Sequence, residues 1–298
     1  MSVRVSAKNR IEKLTLPKAL NYIFIAVIAV ACALPLILVL MVSVTTDSAI
    51  KLNGYQLIPA QFSGAAYRII FSRDSSVIPA YGVSGFITLT GTLLATVITG
   101  MAAFTLANKS VEKRNMLAVY FFIPMVFNAG LVPWYMMCRS LNLTDNVFAL
   151  IVPSLMFSPF NMFLCRNFMR TLPDSLLESA KLDGATDVTI AMRIYFPLSL
   201  PVLATVTLFY GVGYWNDWFN AIMLVNNHRL YPLQYMLYRL QSEIAAMQRL
   251  DPNVPIANLP GESLKMATTI VTIGPIIFLY PYLQKYFVKG LIIGGVKG

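Results

Sequence analysis

The sequence predicts an all-α membrane protein with six transmembrane helices, and its composition, its apolar runs and its charge distribution all support this fold class. Of the 298 residues, 57% are hydrophobic and 12% are charged, whereas a soluble protein carries roughly 25% charged residues. Several uncharged runs reach the ~20 apolar residues that a helix needs to cross a bilayer. We therefore expect residues 1–298 to form a single transmembrane domain.

Six apolar segments are candidates for the spans. The first follows a basic leader, residues 1–18, and is longer than the roughly 7–15 apolar residues of a signal peptide, so we expect a retained helix. The second contains Gly91 and Ala95, a spacing of small residues that lets helices approach closely in lipid. The predicted spans are residues 19–44, 78–108, 115–138, 146–169, 194–219 and 267–288.

The distribution of lysine and arginine predicts the orientation. If the N-terminus is inside, 15 of the 23 basic residues fall in inner segments and 8 in outer loops, as the positive-inside rule expects. Both termini and the segment 170–193 are then cytoplasmic. The net charge of +10 is dispersed, without the dense basic stripe and stacking aromatics of a nucleic-acid binder. We therefore expect lipid, and no nucleic acid, as a partner.

The cytoplasmic segment 170–193 has the sequence chemistry of two short helices joined by a turn. Ser175 and Glu178 have the spacing of a capping box, which predicts a helix start. The first helix should end at Gly184, because glycine readily takes the left-handed conformation that terminates helices. Thr186 or Asp187 can cap a second helix that leads into span five. This shape suits docking on another protein, and an ordinary surface loop is the alternative.

The stretch 'ESAKLDGATDVTIAMRIYFP', residues 178–197, resembles the cytoplasmic EAA motif of ABC importer permeases. That motif reads E-A-A, three residues, G, nine residues, I, one residue, L-P. Ser179 stands in place of alanine and Phe196 in place of leucine. In this respect the chain is similar to permeases of binding-protein-dependent ABC importers.

Other stretches extend the resemblance over nearly the whole chain. The sequences 'YWNDWFNAI' and 'QKYFVKGLIIGGVKG' resemble carbohydrate permeases of the maltose-permease type. The sequences 'NGYQLIPAQFSGAAYRIIF' and 'HRLYPLQYML' are similar to the LplC/YtcP branch, which includes permeases for oligosaccharides from complex polysaccharides. The resemblance therefore implies oligosaccharide import, with acidic polysaccharide fragments such as alginate among the candidate substrates.

The resemblance also implies a fold, a location and partners. The fold would be that of a type I ABC importer permease in the bacterial inner membrane, with segment 170–193 as coupling helices. The partners would be a dimer of ABC ATPase subunits that bind ATP and Mg, a second six-span permease in a heterodimer, and an extracytoplasmic sugar-binding protein. The residues implied in ATPase coupling are Glu178, Ser179, Ala180, Asp183, Gly184, Ala185, Ile194 and Pro197.

The sequence contains no pattern of an enzyme. There is no G-x-x-x-x-G-K followed by Ser or Thr that would cradle ATP phosphates. No Ser/His/Asp set, paired-carboxylate site or zinc spacing is present, and the three cysteines lie far apart. We therefore expect no catalytic residue, no metal site and no cofactor on this chain, and a separate ATPase as the source of energy.

Aromatic and amide side chains in the apolar segments are candidates for the substrate path, since flat faces and hydrogen-bonding groups suit sugars. Two alternatives stay open: an interfacial belt of Trp and Tyr, and polar packing between helices. The candidates are Tyr210, Tyr214, Trp215, Asn216, Asn220, Asn128 and Asn161.

A self-contained, ion-coupled secondary transporter is the alternative function. Such a protein needs acidic residues buried within its spans as ion sites. No Asp or Glu falls in the middle of any predicted span, so the sequence favours the ATP-driven importer.

Overall fold

The computed structural model describes residues 16–72, 76–153, 155–250 and 261–277. Within these ranges the regular structure is helical, apart from one isolated β-bridge between Thr45 and Phe62. The all-α prediction is therefore confirmed. The α-helices are α1 Leu16–Ser43, α2 Asp47–Asn53, α3 Ala65–Ile70, α4 Val77–Ala107, α5 Arg114–Val126, α6 Leu131–Ser140, α7 Phe148–Ile151, α8 Pro159–Met169, α9 Ser175–Leu182, α10 Asp187–Ile190, α11 Phe196–Leu198, α12 Leu200–Trp215, α13 Phe219–Leu224, α14 Leu233–Leu250 and α15, residues 262–277.

Two of these helices, α1 and α4, are each long and apolar enough to cross a membrane by themselves. They differ in their surroundings. The most apolar part of α1 has no buried residue, whereas α4 lies at the centre of the fold between α8 and α12. The core is therefore built around α4, and α1 presents its apolar side chains outward.

The face of α4 toward α12 is lined with small residues that receive aromatic rings. A Cβ atom added to Gly91 would lie 2.5 Å from Cζ of Tyr214, and one added to Gly100 would lie 2.6 Å from Cζ of Phe196. Ala95, one turn after Gly91, is fully buried in the same core. This is the close helix approach predicted from the small-residue spacing, and it is stabilised by van der Waals packing.

The predicted third span, residues 115–138, differs from the structure because the chain bends within it. Helices α5 and α6 meet at 118° across a short break. Gly130 takes a φ of +86°, and its N–H donates to Oδ1 of Asn128 at 2.8 Å. An asparagine turn followed by a glycine at positive φ redirects the backbone, so the segment is two helices rather than one.

The fourth and fifth predicted spans, residues 146–169 and 194–219, are also interrupted. Between α7 and α8 the chain passes through Pro153, which has no N–H to continue a helix. The segment that ends at α11 bends by 88° relative to α12 at Ser199. Counting each bent pair as one span gives up to four spans in the described part of the chain.

The sixth predicted span, residues 267–288, is described only in part. The described portion is helical within α15, and residues 278–288 lie outside the described residues. The total of six spans therefore stays a prediction.

Candidate coupling and translocation sites

The end of α9 has the geometry that its sequence predicts. Gly184 takes a φ of +78°. Its N–H donates to the carbonyl of Lys181 at 3.0 Å, and the N–H of Ala185 donates to the carbonyl of Ala180 at 3.0 Å. These two bonds form a Schellman motif, in which a left-handed residue closes the helix. The predicted stop at Gly184 is confirmed.

The start of α9 differs from the predicted capping box. Asp174 occupies the cap position without a side-chain capping bond, and Ser175 is already the first helical residue. The carboxylate of Asp174 pairs instead with the ammonium group of Lys109, in the loop between α4 and α5. At the next helix, Oγ1 of Thr186 accepts the N–H of Thr189 at 3.3 Å, so the predicted cap of α10 is confirmed.

One face of the α9–α10 pair is buried in the main core. Leu177, Ala180 and Ile190 lie in the same cluster as side chains from α4 and α8. The chain continues through a π-helical turn, Ala191–Tyr195, a rare form that is frequent at functional sites. The ring of Tyr195 lies edge-on to that of Phe104 in α4, with centroids 4.9 Å apart. Burial therefore attaches this helix pair firmly to the membrane domain.

The opposite face of the pair is exposed and partly apolar. Leu182 is 89% exposed and Val188 is 60% exposed, beside the exposed carboxylates of Glu178 and Asp183. Large apolar side chains rimmed by polar groups are typical of a protein-binding surface. Of the predicted coupling residues, Glu178, Ser179, Asp183, Gly184 and Pro197 are exposed, Ala185 and Ile194 are half-buried, and Ala180 is buried.

Polar contacts link the pair to the loop between α4 and α5. Nζ of Lys181 donates to Oγ of Ser110 at 3.2 Å and lies 3.7 Å from Oδ1 of Asp187. Exposed ion pairs contribute only ~0–1 kcal/mol each. The position of the helix pair is therefore set mainly by its buried face.

Two predicted substrate-path residues hold the helix break at 152–158 together. Oη of Tyr214 donates to the carbonyl of Ile151 at 2.8 Å, at the end of α7. Oη of Tyr210 accepts the N–H of Ser158 at 2.9 Å, at the start of α8. Helix ends leave backbone groups without intrahelical partners, and away from water those groups need other partners. Both tyrosines are buried and satisfy that need.

Asn220 makes a third contact with the same break and keeps an unused acceptor. Its Nδ2 donates to the carbonyl of Pro153 at 3.1 Å. Its Oδ1 and the Oδ2 of Asp217 are buried without a hydrogen-bond partner among the described residues. The other oxygen of Asp217 accepts the N–H of Phe219 at 3.1 Å and that of Asn220 at 3.2 Å, so it sets the turn into α13.

The remaining predicted substrate-path residues lie in different places and make different contacts. Nε1 of Trp215 donates to the carbonyl of Thr272 at 3.1 Å, and Oδ1 of Asn216 accepts from Gln234 at 2.9 Å. Asn128 is exposed in the turn between α5 and α6, and Asn161 is buried in α8. A sugar-contacting role for these residues stays a prediction.

A cavity of about 410 Å³ lies between α4, α12 and α15, and sequence reasoning did not predict it. Of the predicted path residues, only Trp215 is on its wall. Thr88 and Thr92, one turn apart on α4, also line it, and their Oγ1 atoms are buried without a partner among the described residues. Their i, i+4 spacing in a threonine-rich helix was the available signal. The lining residues are Gly85, Thr88, Leu89, Thr92, Leu93, Thr207, Leu208, Gly211, Val212, Trp215, Pro275 and Ile276.

The segment between the fifth and sixth predicted spans, residues 220–266, contains a helix, α14, that the sequence analysis did not predict. Tyr238 of this helix stacks on Trp218, the residue before α13, with ring centroids 4.6 Å apart. Arg239 lies over the ring of Tyr231 at 5.6 Å. The hydrogen bond to the carboxylate of Glu243, 2.7 Å from Nη2, raises the pKa of Arg239. The signal for α14 was the 3.6-residue apolar period beginning at residue 233.

Comparison with known proteins agrees with these features. Residues 18–293 match the family described as binding-protein-dependent transport system inner membrane component. The chain is 36% identical over 282 residues to the protein LplC of Bacillus subtilis (strain 168), covering 93% of this chain and 94% of that protein. It is also 36% identical over 280 residues to the polygalacturonan/rhamnogalacturonan transport system permease protein YtcP of the same strain, covering 94% and 97%.

A solved structure is similar as well. It is the crystal structure of a bacterial ABC transporter involved in the import of the acidic polysaccharide alginate. One of its chains superposes with a TM-score of 0.78 and 27% identity, over 90% of this chain and 95% of that chain. The present chain belongs to the family of binding-protein-dependent transport system inner membrane components, and its location is the inner membrane.

Proposed function

We propose that this chain is the permease subunit of an ATP-driven ABC importer that moves oligosaccharides across the inner membrane. The α9–α10 pair carries the proposal. It combines an EAA-like sequence, a face buried in the core and an exposed apolar face around Leu182 and Val188. A loop that only joined two spans would not need the exposed apolar face.

In the proposed topology, residues 1–298 form one six-span domain with both termini in the cytoplasm. Residues 1–18 are the leader and residues 170–193 are the coupling loop. The excess of basic residues in the inner segments supports this orientation. The long helices α1 and α4 and the bent pairs support the presence of several spans.

The proposed mechanism is alternating access, and the chain's own contacts provide a route for it. ATP and Mg are bound by the partner ATPase, whose dimer closes on ATP and moves the docked α9–α10 pair. The pair continues into residues 191–198, in which Tyr195 contacts Phe104 of α4 and Phe196 contacts Gly100 of α4. The chain then leads through Ser199 into α12. Movement of the pair would therefore reorient α4 and α12 together, as packed helices shift as units.

The proposed assembly contains a second six-span permease, two ATPase subunits and an extracytoplasmic sugar-binding protein. Six helices from one chain do not enclose a central path, and α1 presents an apolar surface that a partner permease or lipid would cover. The binding protein would dock on the outer segments that carry α2, α3, α13 and α14. The stacked rings of Trp218 and Tyr238 suit a protein contact there.

The proposed substrate class is an acidic oligosaccharide, such as a fragment of alginate or of a galacturonan. The polysaccharides named for the YtcP transport system and for the alginate importer are acidic and support this class. Arg229 is exposed on the outer segment and could attract an anionic sugar, whereas Arg239 is already paired with Glu243.

Affinity purification of the tagged chain from its own cells in mild detergent, with mass spectrometry, tests the assembly. We expect an ATPase and a second permease at near-stoichiometric levels. The associated binding protein is then titrated with oligogalacturonate, oligoalginate and neutral malto-oligosaccharides to test the substrate class. A chain that purifies alone and transports without ATP would contradict the assembly, and a preference for neutral sugars would contradict the substrate class.

A further inference from the structure

Helix α15 contains a proline whose missing backbone bond is replaced by a side chain from another helix. Pro275 has no N–H, so the carbonyl of Val271, four residues earlier, lacks its intrahelical donor. Oη of Tyr81, near the start of α4, donates a hydrogen bond to that carbonyl. The next carbonyl, of Thr272, accepts from Nε1 of Trp215 at 3.1 Å. Side chains of α4 and α12 thus bind two consecutive carbonyls of α15.

The two donors also contact each other. The rings of Tyr81 and Trp215 are tilted by 51° with centroids 6.2 Å apart. Moving either ring would therefore disturb the other, and the two hydrogen bonds act as one clasp on α15. We use the term clasp for Tyr81 and Trp215 with the carbonyls of Val271 and Thr272.

The part of α15 before Pro275 is fixed by contacts on the outer side. Ala267 and Val271 are buried against Ala66 and Ile70 of α3. The N–H of Ser263, at the start of α15, donates to Oδ1 of Asp47 in α2 at 3.0 Å. Residues 262–274 of α15 are therefore packed against the rest of the fold.

The described residues from Pro275 onward have different surroundings. Pro275 and Ile276 line the cavity between α4, α12 and α15, and Ile277 is 49% exposed. The clasp therefore lies where α15 passes from its contacts with α2 and α3 to the cavity wall at Pro275 and Ile276. A change of angle at Pro275 would alter the shape of that cavity.

We propose that Tyr81 and Trp215 are positioning residues that set the angle of a proline hinge in α15, and that release of the clasp lets α15 reshape the cavity during transport. This inference rests on the proposed transport function. A carbonyl freed by proline at membrane depth needs another donor because no water supplies one. The hydroxyl of Tyr81 supplies that donor, so its removal should free the angle at Pro275.

Distance measurements by pulsed electron paramagnetic resonance test the hinge directly. Spin labels are placed at Leu94 on α4 and at Ile277 on α15, in the full complex in lipid nanodiscs, after replacing the exposed Cys32 with serine. We expect Tyr81→Phe to shift and broaden the distance distribution. Tyr120→Phe is the matched control, because its ring is 67% exposed on α5, and it should leave the distribution unchanged.

Restoring the backbone hydrogen bond at Pro275 distinguishes a hinge role of Tyr81 from simple packing. Pro275→Ala restores an N–H to the carbonyl of Val271, so the tyrosine hydroxyl is no longer needed there. In the Pro275→Ala background, Tyr81→Phe should cause no further change, which is a non-additive double-mutant cycle. Unchanged distances in Tyr81→Phe, or effects of the two substitutions that add independently, would overturn the inference.

A separate uptake measurement and a second variant complete the test. The distances need no substrate, so they test the hinge even if the chain does not carry oligosaccharides, and uptake of oligogalacturonate is then measured separately. If Tyr81→Phe fails to assemble, Trp215→Phe removes the donor to Thr272 instead. That variant should shift the same distance, and an unchanged distance would overturn the inference equally.

Discussion

The ring of Phe196 lies against the backbone of Gly100, so close that a Cβ atom added to the glycine would be 2.6 Å from Cζ of the ring. This contact joins α11, which follows the α9–α10 pair, to the central helix α4. A Cβ atom essentially never lies so close to another atom, so a side chain at position 100 would have to displace the ring of Phe196. The ring of Tyr195, the preceding residue, also contacts α4, at Phe104.

Gly100→Ala should therefore destabilise the permease. Overpacking a closely packed interface costs roughly 1–3 kcal/mol, and here the added methyl meets the ring of Phe196. Thermal unfolding of the purified complex checks the result. Gly82→Ala is the matched control in the same helix, since its added Cβ would meet no atom within 4 Å. Equal unfolding midpoints in the two variants would contradict the packing account.

Gly184→Ala should weaken the turn between α9 and α10. An alanine side chain at a φ of +78° destabilises the backbone conformation by roughly 1–2 kcal/mol. The hydrogen bonds of the Schellman motif would therefore weaken. We expect reduced stimulation of ATP hydrolysis by the loaded binding protein. Gly184→Asn, which tolerates the left-handed conformation better, should retain more stimulation than Gly184→Ala. The reverse order would rule out backbone conformation as the reason for glycine.

Tyr214→Phe should lower stability without changing the apparent affinity for sugar. The substitution removes the donor to the carbonyl of Ile151, and a buried carbonyl left without a partner costs roughly 1–3 kcal/mol. Thermal unfolding and the KM for oligogalacturonate uptake are measured together. A raised KM with unchanged stability would instead show that Tyr214 contacts the substrate.

The hydrogen bond between Tyr55 and Glu262 should make stability depend on alkaline pH. Burial raises the pKa of Tyr55, and the hydrogen bond from its hydroxyl to Glu262 acts in the same direction. A raised pKa stabilises the protonated, folded form below the ordinary tyrosine value of about 10, and this contribution is lost as pH rises through the folded pKa. Unfolding midpoints from pH 8 to 11 should fall less in Tyr55→Phe than in the unsubstituted protein. Identical profiles would contradict a role for this group.

Local chemistry was the part of the site that the sequence predicted best. The turn at Gly184 and the cap at Thr186 depend on a few neighbouring residues, and both are present in the structure. The capping box failed because Asp174, one residue earlier, occupies the cap position and pairs with Lys109. A long-range ion pair of this kind is not encoded by the spacing of Ser and Glu.

The bent spans and the roles of the tyrosines needed tertiary information. Apolar windows average over single residues, so they did not detect the interruptions at Gly130 and Pro153. Tyr210 and Tyr214 have the composition of a sugar site, yet their hydroxyls bond to the ends of the broken fourth segment. Only the fold shows that those backbone groups lie within reach.

Coupling through α9 and α10 is tested most directly by ATP hydrolysis of the reconstituted complex, with and without the loaded binding protein, for the double variant Glu178→Ala/Gly184→Ala. The control is Glu112→Ala, which removes an exposed carboxylate from the loop between α4 and α5. We expect the double variant to assemble but to lose stimulated hydrolysis and ATP-dependent uptake, while the control keeps both. Uptake and stimulation that remain intact in the double variant would contradict coupling through α9 and α10.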